Sequence, residues 1–163
     1  VWLDIDYGNY PYVTSSITLP YAACSLGFSP KLINNIYGAV KIYDTRSGID
    51  PEFPENLLEN KELLKIIDEG KEYGVTTGRK RKTNWLNLDK LIKSINISGT
   101  NIVIISKIDV LKKLNLFKLY HFSKLIKFDN FNEMKDYINT NLKKECNLDK
   151  IIYSDNVEKV EGI

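Results

Sequence analysis

The chain has 163 residues, 43% hydrophobic and 27% charged, with 23 Lys and Arg against 21 Asp and Glu and a formal net charge of +2. That length carries one domain with a real core, or part of a larger one, and the near-balance of charge excludes a global electrostatic case for nucleic acid or a membrane surface. No apolar run approaches the length of a membrane span, and no charged-then-apolar leader precedes a cleavage site. Cys24 and Cys146 form neither a C-x-x-C pair nor a disulfide framework, which predicts ordinary thiols in a reducing, cytoplasmic setting. The chain opens on Val1 rather than Met, directly on an apolar run, and this predicts a processed product or a fragment.

Val1 to Asp6 alternates apolar and acidic residues, predicting a strand that ends at a functional edge. Tyr7 to Tyr12 is a loop by its Gly, Asn and Pro content. Val13 to Ser16 is a hydroxyl cluster suited to a phosphate or sugar, or equally a Ser/Thr-rich helix entry. A short helix is predicted from Leu19 to Leu26. Ser29-Pro30 predicts an N-cap with proline at the first helical position, and Gly38 would close that helix. Ala39 to Tyr43 predicts a strand leading into a polar loop, Asp44-Thr45-Arg46-Ser47-Gly48, and Ile49 to Pro54 is aperiodic loop.

Leu57 to Glu69 predicts a helix with Asn60 as a candidate cap and Gly70 as its stop. Leu88, Leu91, Ile92 and Ile95 fall at i, i+3, i+4 and i+7, a clean helical stripe ended by Gly99. Asn101 to Ile105 is a continuous β-branched run, the signature of a strand buried on both faces. Ser106-Lys107-Ile108-Asp109 follows at its carboxyl end, with a short helix from about Val110. Leu116 to Phe128 predicts two short strands or a hairpin holding the single histidine, His121, as a structural or surface residue. Phe131, Met134, Ile138 and Leu142 mark a last amphipathic helix, and Leu148 to Ile163 predicts one or two closing strands.

The chemistry concentrates in Gly74-Val75-Thr76-Thr77-Gly78-Arg79-Lys80-Arg81-Lys82. Glycine lets backbone turn tightly and approach a ligand, and guanidinium forks bind carboxylate or phosphate bidentately. A solvated basic turn is the plainer reading, but two threonines between glycines favour an anion loop. Lys107 and Asp109 stand where ligands bind in open parallel α/β sheets, beyond a strand's carboxyl end. An Asp there can accept two hydrogen bonds from a guanine edge while the Lys stem covers the base; a helix N-cap at Asp109 serves equally well locally. The sequence has no G-x-x-x-x-G-K-[ST] or G-x-G-x-x-G loop, and one His with scattered acids makes neither a catalytic triad nor a metal site. A nucleic-acid module built on Arg79 to Lys82 is disfavoured by the near-neutral charge and the lack of interleaved aromatics. The residues alone predict an α/β domain, a mainly parallel sheet flanked by helices, that binds an anionic ligand of nucleotide type.

Four stretches together resemble the adenylosuccinate synthetase family: Leu3 to Ser16, Gly38 to Gly48, Val75 to Arg81 with Lys82 and Trp85 after it, and Lys107-Ile108-Asp109. The resemblance covers residues 1 to 115 well and the remainder loosely. It implies a P-loop NTPase-like fold, incomplete here, with residues 1–163 as the C-terminal portion of such a domain. It also implies ligation of L-aspartate to IMP driven by GTP, through a 6-phosphoryl-IMP intermediate, with Mg2+ held mainly outside this chain. Thr14, Ser47, Gly48 and Arg79 would contact IMP. Val75, Thr76, Thr77, Gly78, Arg79, Lys80 and Arg81 would clamp aspartate. Arg81, Lys107, Ile108 and Asp109 would hold GTP. The complete protein would be a cytoplasmic homodimer with small-molecule substrates and no nucleic-acid or membrane partner.

The departures limit that reading. The family's phosphate loop, catalytic Asp and catalytic His belong to an N-terminal half that this chain lacks, so no catalytic residue is expected here and the chain alone should be inactive. Ile17-Thr18-Leu19-Pro20 replaces a polar, small-residue segment, Ser47 stands where the family often has Val, and Ser154-Asp155-Asn156 lacks the Ser-x-Gly-Pro loop of the guanine pocket. Two alternatives remain: a phage-type synthase using dGMP and aspartate to make N6-succino-2-amino-2'-deoxyadenylate, and a non-catalytic nucleotide-binding remnant.

Overall fold

The computed structural model describes residues 2–13 and 25–155. Along the chain run β1 (Tyr37–Lys41), β2 (Tyr43–Arg46), α1 (Lys61–Gly70), β3 (Lys82–Asn87), α2 (Leu88–Ser98), β4 (Ile102–Ser106), α3 (Ile108–Leu114), β5 (Lys118–His121), β6 (Lys124–Lys127), α4 (Phe131–Glu145) and β7 (Lys150–Tyr153). A three-stranded sheet, ordered β1-β4-β7, is parallel throughout. The β-branched run of β4 takes its centre because neighbours on both sides bury Ile102, Val103 and Ile105. A four-stranded sheet, ordered β2-β3-β5-β6, is mixed: β3 and β5 are parallel, and the two outer pairs antiparallel.

Ile42 links the two sheets without a loop. Its side chain is fully buried, and its N–H donates to the Ser106 carbonyl at 3.0 Å. Helix α2 follows its predicted stripe, burying Leu88, Leu91 and Ile95. Asn87 caps it by accepting the Lys90 N–H, and Gly99, at φ 69°, ends it in the left-handed conformation. Helix α4 buries Phe131, Met134, Ile138 and Leu142, and these join both sheets in one core.

Several expectations are corrected. Residues 2–7 form turns around a single β-bridge residue, the fully buried Asp4, rather than a strand. The Ser29-Pro30 start is real, with Ser29 accepting the Lys31 N–H, but the helix is a single 3-10 turn, Pro30–Leu32; Gly38 does not close it, because it lies in β1. Thr45 and Arg46 belong to β2, since antiparallel pairing with β3 extends the strand past Tyr43. The helix expected from Leu57 is split: a 3-10 turn, Glu55–Glu59, gives way at Asn60, which caps α1 through the Glu62 and Leu63 N–H groups. Strand β3 was not anticipated from Lys82 to Asn87, where polar and apolar residues intermix. Helix α3 begins at Ile108, so Lys107 rather than Asp109 occupies its N-cap position. The Val13–Ser16 cluster beyond Val13, most of the Leu19–Leu26 helix, Cys24 and the closing stretch from Asn156 lie outside the described residues.

Candidate ligand-binding site

The carboxyl ends of β1 and β4 lie side by side, with Lys41 paired in register to Ser106. Lys107 follows in the left-handed region at φ 65°, a conformation that costs a non-glycine residue about 1–2 kcal/mol. Its Nζ donates to the Gly70 carbonyl at 3.0 Å, tying this corner to the end of α1. Ile108 is buried beneath it, and Asp109 stands exposed in the first turn of α3. Asp109 accepts no hydrogen bond among the described residues, so the capping role open to it in the sequence is not the one it plays.

The cationic loop closes on itself just beyond. Gly74 and Arg79 are joined by an N–H to carbonyl bond of 2.8 Å, the Gly78 N–H returns to the Gly74 carbonyl at 2.8 Å, and Tyr73 bridges Lys80. Gly78, at φ 61°, makes the turn. The Thr77 hydroxyl accepts the Arg79 N–H at 3.3 Å, and a Cβ on Gly74 would meet that hydroxyl oxygen at 2.8 Å. Val75 at the tip is 98% exposed. Three of the four cations have carboxylate partners: Lys80 with Asp68 at 3.8 Å, Arg81 with Glu72 at 3.2 Å and Lys82 with Glu55 at 2.6 Å. Arg79 is exposed and has no ion-pair partner among the described residues.

Glu72 anchors the base of this loop and is only 2% exposed. Its carboxylate accepts Lys41 Nζ through both oxygens at 2.8 Å, the Tyr43 hydroxyl at 2.9 Å and Arg81 Nη1 at 3.2 Å. Burial pushes the Glu72 carboxyl up, but the bonds from Lys41, Tyr43 and Arg81 outweigh it and hold it below the usual carboxylate range. Burial first, then the Glu72 and Asp109 charges, push the Tyr43 phenol far upward, so it stays a donor. Sequence reading missed Glu72, Lys41 and Tyr43. A buried counter-ion has no motif, and the available signal was indirect: a lysine at a strand's carboxyl end and four cations just downstream.

Ser47 and Gly48 lie exposed at the end of β2. The register partner of Arg46 is Lys82, so they sit beside the exit of the cationic loop. Arg46 fixes this corner, donating through Nη2 to the Tyr12 carbonyl at 2.6 Å and placing Nε 3.2 Å from Asp50. Thr14 lies outside the described residues. Val75 to Arg81, Ser47, Gly48 and the Lys107-Ile108-Asp109 corner are thus brought to one edge through Glu72, Gly70 and the β2–β3 register. His121 stands apart as predicted, buried, with Nδ1 2.7 Å from the Tyr137 hydroxyl.

A small cleft of about 130 Å³ opens between β2, β3 and α2, lined by Asp44, Asn84, Asn87 and Lys90 among others. Burial pushes the Asp44 carboxyl up to about 6, against the Asn87 N–H bond and the charge of Lys90. Among the described residues no three His, Cys, Asp or Glu side chains converge to hold a metal ion, and no helix is long and apolar enough to cross a membrane.

Fold and site define an α/β protein whose parallel sheet carries, beyond its carboxyl edge, a cationic loop in which Arg79 has no carboxylate partner among the described residues. The adenylosuccinate synthetase family model matches residues 1–148, and the chain belongs to the adenylosuccinate synthetase family. It is 51% identical over 118 residues to the adenylosuccinate synthetase of Komagataella phaffii, which covers 72% of this chain and 27% of that protein. The structure of fully ligated adenylosuccinate synthetase from Plasmodium falciparum is similar at a TM-score of 0.64 and 33% identity, covering 83% of this chain and 34% of that one. The cyanophage S-2L succinoaminodeoxyadenylate synthetase bound to dGMP and dATP shares the fold, with a TM-score of 0.61 at 15% identity over 98% of this chain and 43% of that one. The chain spans about a quarter of the length of the curated relatives it matches.

Proposed function

We propose that this chain is the C-terminal portion of a GTP-dependent ligase that joins L-aspartate to IMP, and that it supplies contacts to aspartate, IMP and guanine. The observation that carries the reading is the Arg79 guanidinium: exposed, without a carboxylate partner among the described residues, and carried on a loop whose exit, Lys82, pairs with the end of β2 beside Ser47-Gly48. In the reaction, the inosinate N1 gives up its proton to a base as the γ-phosphoryl of GTP passes to O6 and GDP leaves. The aspartate amine then attacks C6, phosphate departs and the amine releases a proton.

This chain's residues bind and orient. Val75 to Gly78 offer backbone N–H groups and hydroxyls to the aspartate carboxylates, with Arg79, Lys80 and Arg81 supplying charge. Thr14, Ser47, Gly48 and Arg79 hold IMP, and the Asp109 carboxylate accepts from the guanine edge while Lys107 and Ile108 shape the pocket beside it. Holding both reactants in one geometry is itself a large part of such catalysis. The residues described here do not fit a metal, so Mg2+ accompanying GTP would be held by groups elsewhere in the complete protein, which we take to be a cytoplasmic homodimer.

The test joins this chain behind the N-terminal part of the Komagataella phaffii relative, in place of the segment it matches, and measures aspartate ligation with GTP. Succinyl-nucleotide formation from IMP is expected. Formation from dGMP alone assigns the phage-type reaction instead, and nucleotide binding without turnover identifies a remnant.

A further inference from the structure

Glu72 lies outside the residues that touch substrate in the reading above, yet it fixes how one of them is presented. Arg81 is tied to it twice: its N–H donates to the Glu72 carbonyl at 2.9 Å, and its Nη1 to the carboxylate at 3.2 Å. The rest of the guanidinium is uncommitted. Nε is shielded from solvent and has no acceptor, and Nη2 makes no hydrogen bond, among the described residues. A buried donor without an acceptor carries a desolvation cost that an arriving acceptor relieves. Nε and Nη2 form one edge of the planar fork, and a side-on pair of parallel bonds is what a carboxylate or a phosphate offers.

The charges point the same way. One buried carboxylate is bonded to two cations, Lys41 and Arg81, and the further negative charge acting on the cluster, Asp109, is exposed and bonded to neither. Glu72 is short of what full neutralisation would need.

We propose that Glu72 is a positioning residue: by holding Arg81 through Nη1, it presents the Nε–Nη2 edge to an incoming bidentate anion. The proposal rests on the ligase reading, in which that anion is a carboxylate of aspartate or a phosphate of GTP. Lys41 and Tyr43 brace the carboxylate from the other side, so Arg81 does not swing with each binding event.

The experiment uses the joined protein described above, with Glu72→Gln, Glu72→Asp and Tyr43→Phe variants. Glu72→Gln keeps the shape of the cluster and removes its charge. It should raise the KM of one anionic substrate about tenfold or more while kcat moves less than about threefold. A rise for aspartate identifies a carboxylate at the edge, and a rise for GTP identifies a phosphate. Glu72→Asp should recover part of the loss, and Tyr43→Phe, which removes one brace but leaves the Arg81 bond in place, should raise the same KM by less than Glu72→Gln does. A Glu72→Gln protein that turns over with both KM values unmoved overturns the proposal and leaves the ligase reading intact. If Glu72→Gln does not fold, an Asp variant with wild-type KM values overturns it equally. A joined parent that binds no aspartate and ligates nothing removes the ligase reading, and this proposal with it.

Discussion

Arg79 and its neighbours share a run of like charge but not a role. Lys80, Arg81 and Lys82 each have a carboxylate partner in the protein, whereas Arg79 has none among the described residues. Arg79→Ala in a completed protein should therefore cost catalysis rather than folding. Losing a charge-assisted contact is worth about 1.5–3 kcal/mol, a fall of roughly ten- to a hundredfold in kcat/KM for aspartate with an unchanged Tm. Asp44 makes the opposite kind of prediction. Its folded carboxyl sits at about 6 against an ordinary 3.8, so the folded state keeps a proton that the unfolded chain has released. Stability therefore declines as pH rises between about 4 and 6, by roughly 2–3 kcal/mol at about 1.4 kcal/mol per pH unit, and stays reduced above. Asp44→Asn, which still accepts the Asn87 N–H, should raise Tm at pH 7.5 and change little at pH 4; melts across that range would check it. Glu72 has the reverse sign: its depressed pKa adds stability that is lost as the solution is acidified.

At the level of elements, the end of α1 couples helix, sheet and site. A Cβ on Gly70 would lie 2.4 Å from the Tyr43 hydroxyl oxygen. Replacing a helical glycine with alanine gains up to about 1 kcal/mol, but forcing atoms into a packed site costs about 1–3 kcal/mol. Gly70→Ala should thus destabilise and pull Tyr43 from Glu72, while in a Tyr43→Phe background it should be neutral or stabilising. A double-mutant cycle read by denaturant unfolding measures that coupling. Elements with a strong period or a single environment were legible in the sequence: β4 by its β-branched run, α2 and α4 by their stripes, the β5–β6 hairpin. Strand β3 was not, because Lys82–Asn87 mixes polar and apolar residues and it is pairing with β2 and β5 that makes it a strand, and the polar end of β2 reads as loop for the same reason. Residues 2–7 mimic a strand because they alternate, but pairing is confined to a single bridge at Asp4 and never extends into a ladder. Of the site, the loops were visible as composition. The carboxylate that organises them was not, because Glu72 meets Lys41 and Tyr43 only through the fold.

At the scale of the whole molecule, the proposed contacts come from loops far apart in the chain. Loops from β2, from the turn before β3 and from the end of β4 converge on one edge, and in open α/β sheets that is where ligands bind. The chain belongs to its family over residues 1–148 and spans about a quarter of the relatives' length, so its loops are expected to act with groups contributed from the rest of such a protein. Taken by itself, the 163-residue chain should not form a succinyl-nucleotide from IMP, aspartate and GTP, which an assay of the purified chain checks. The most direct measurement is the same assay on this chain joined behind the N-terminal part of the Komagataella phaffii relative. The account predicts GTP-dependent succinyl-nucleotide formation that saturates with aspartate and falls roughly ten- to a hundredfold in kcat/KM on Arg79→Ala. A folded, joined protein whose turnover and aspartate dependence are untouched by Arg79→Ala would contradict it.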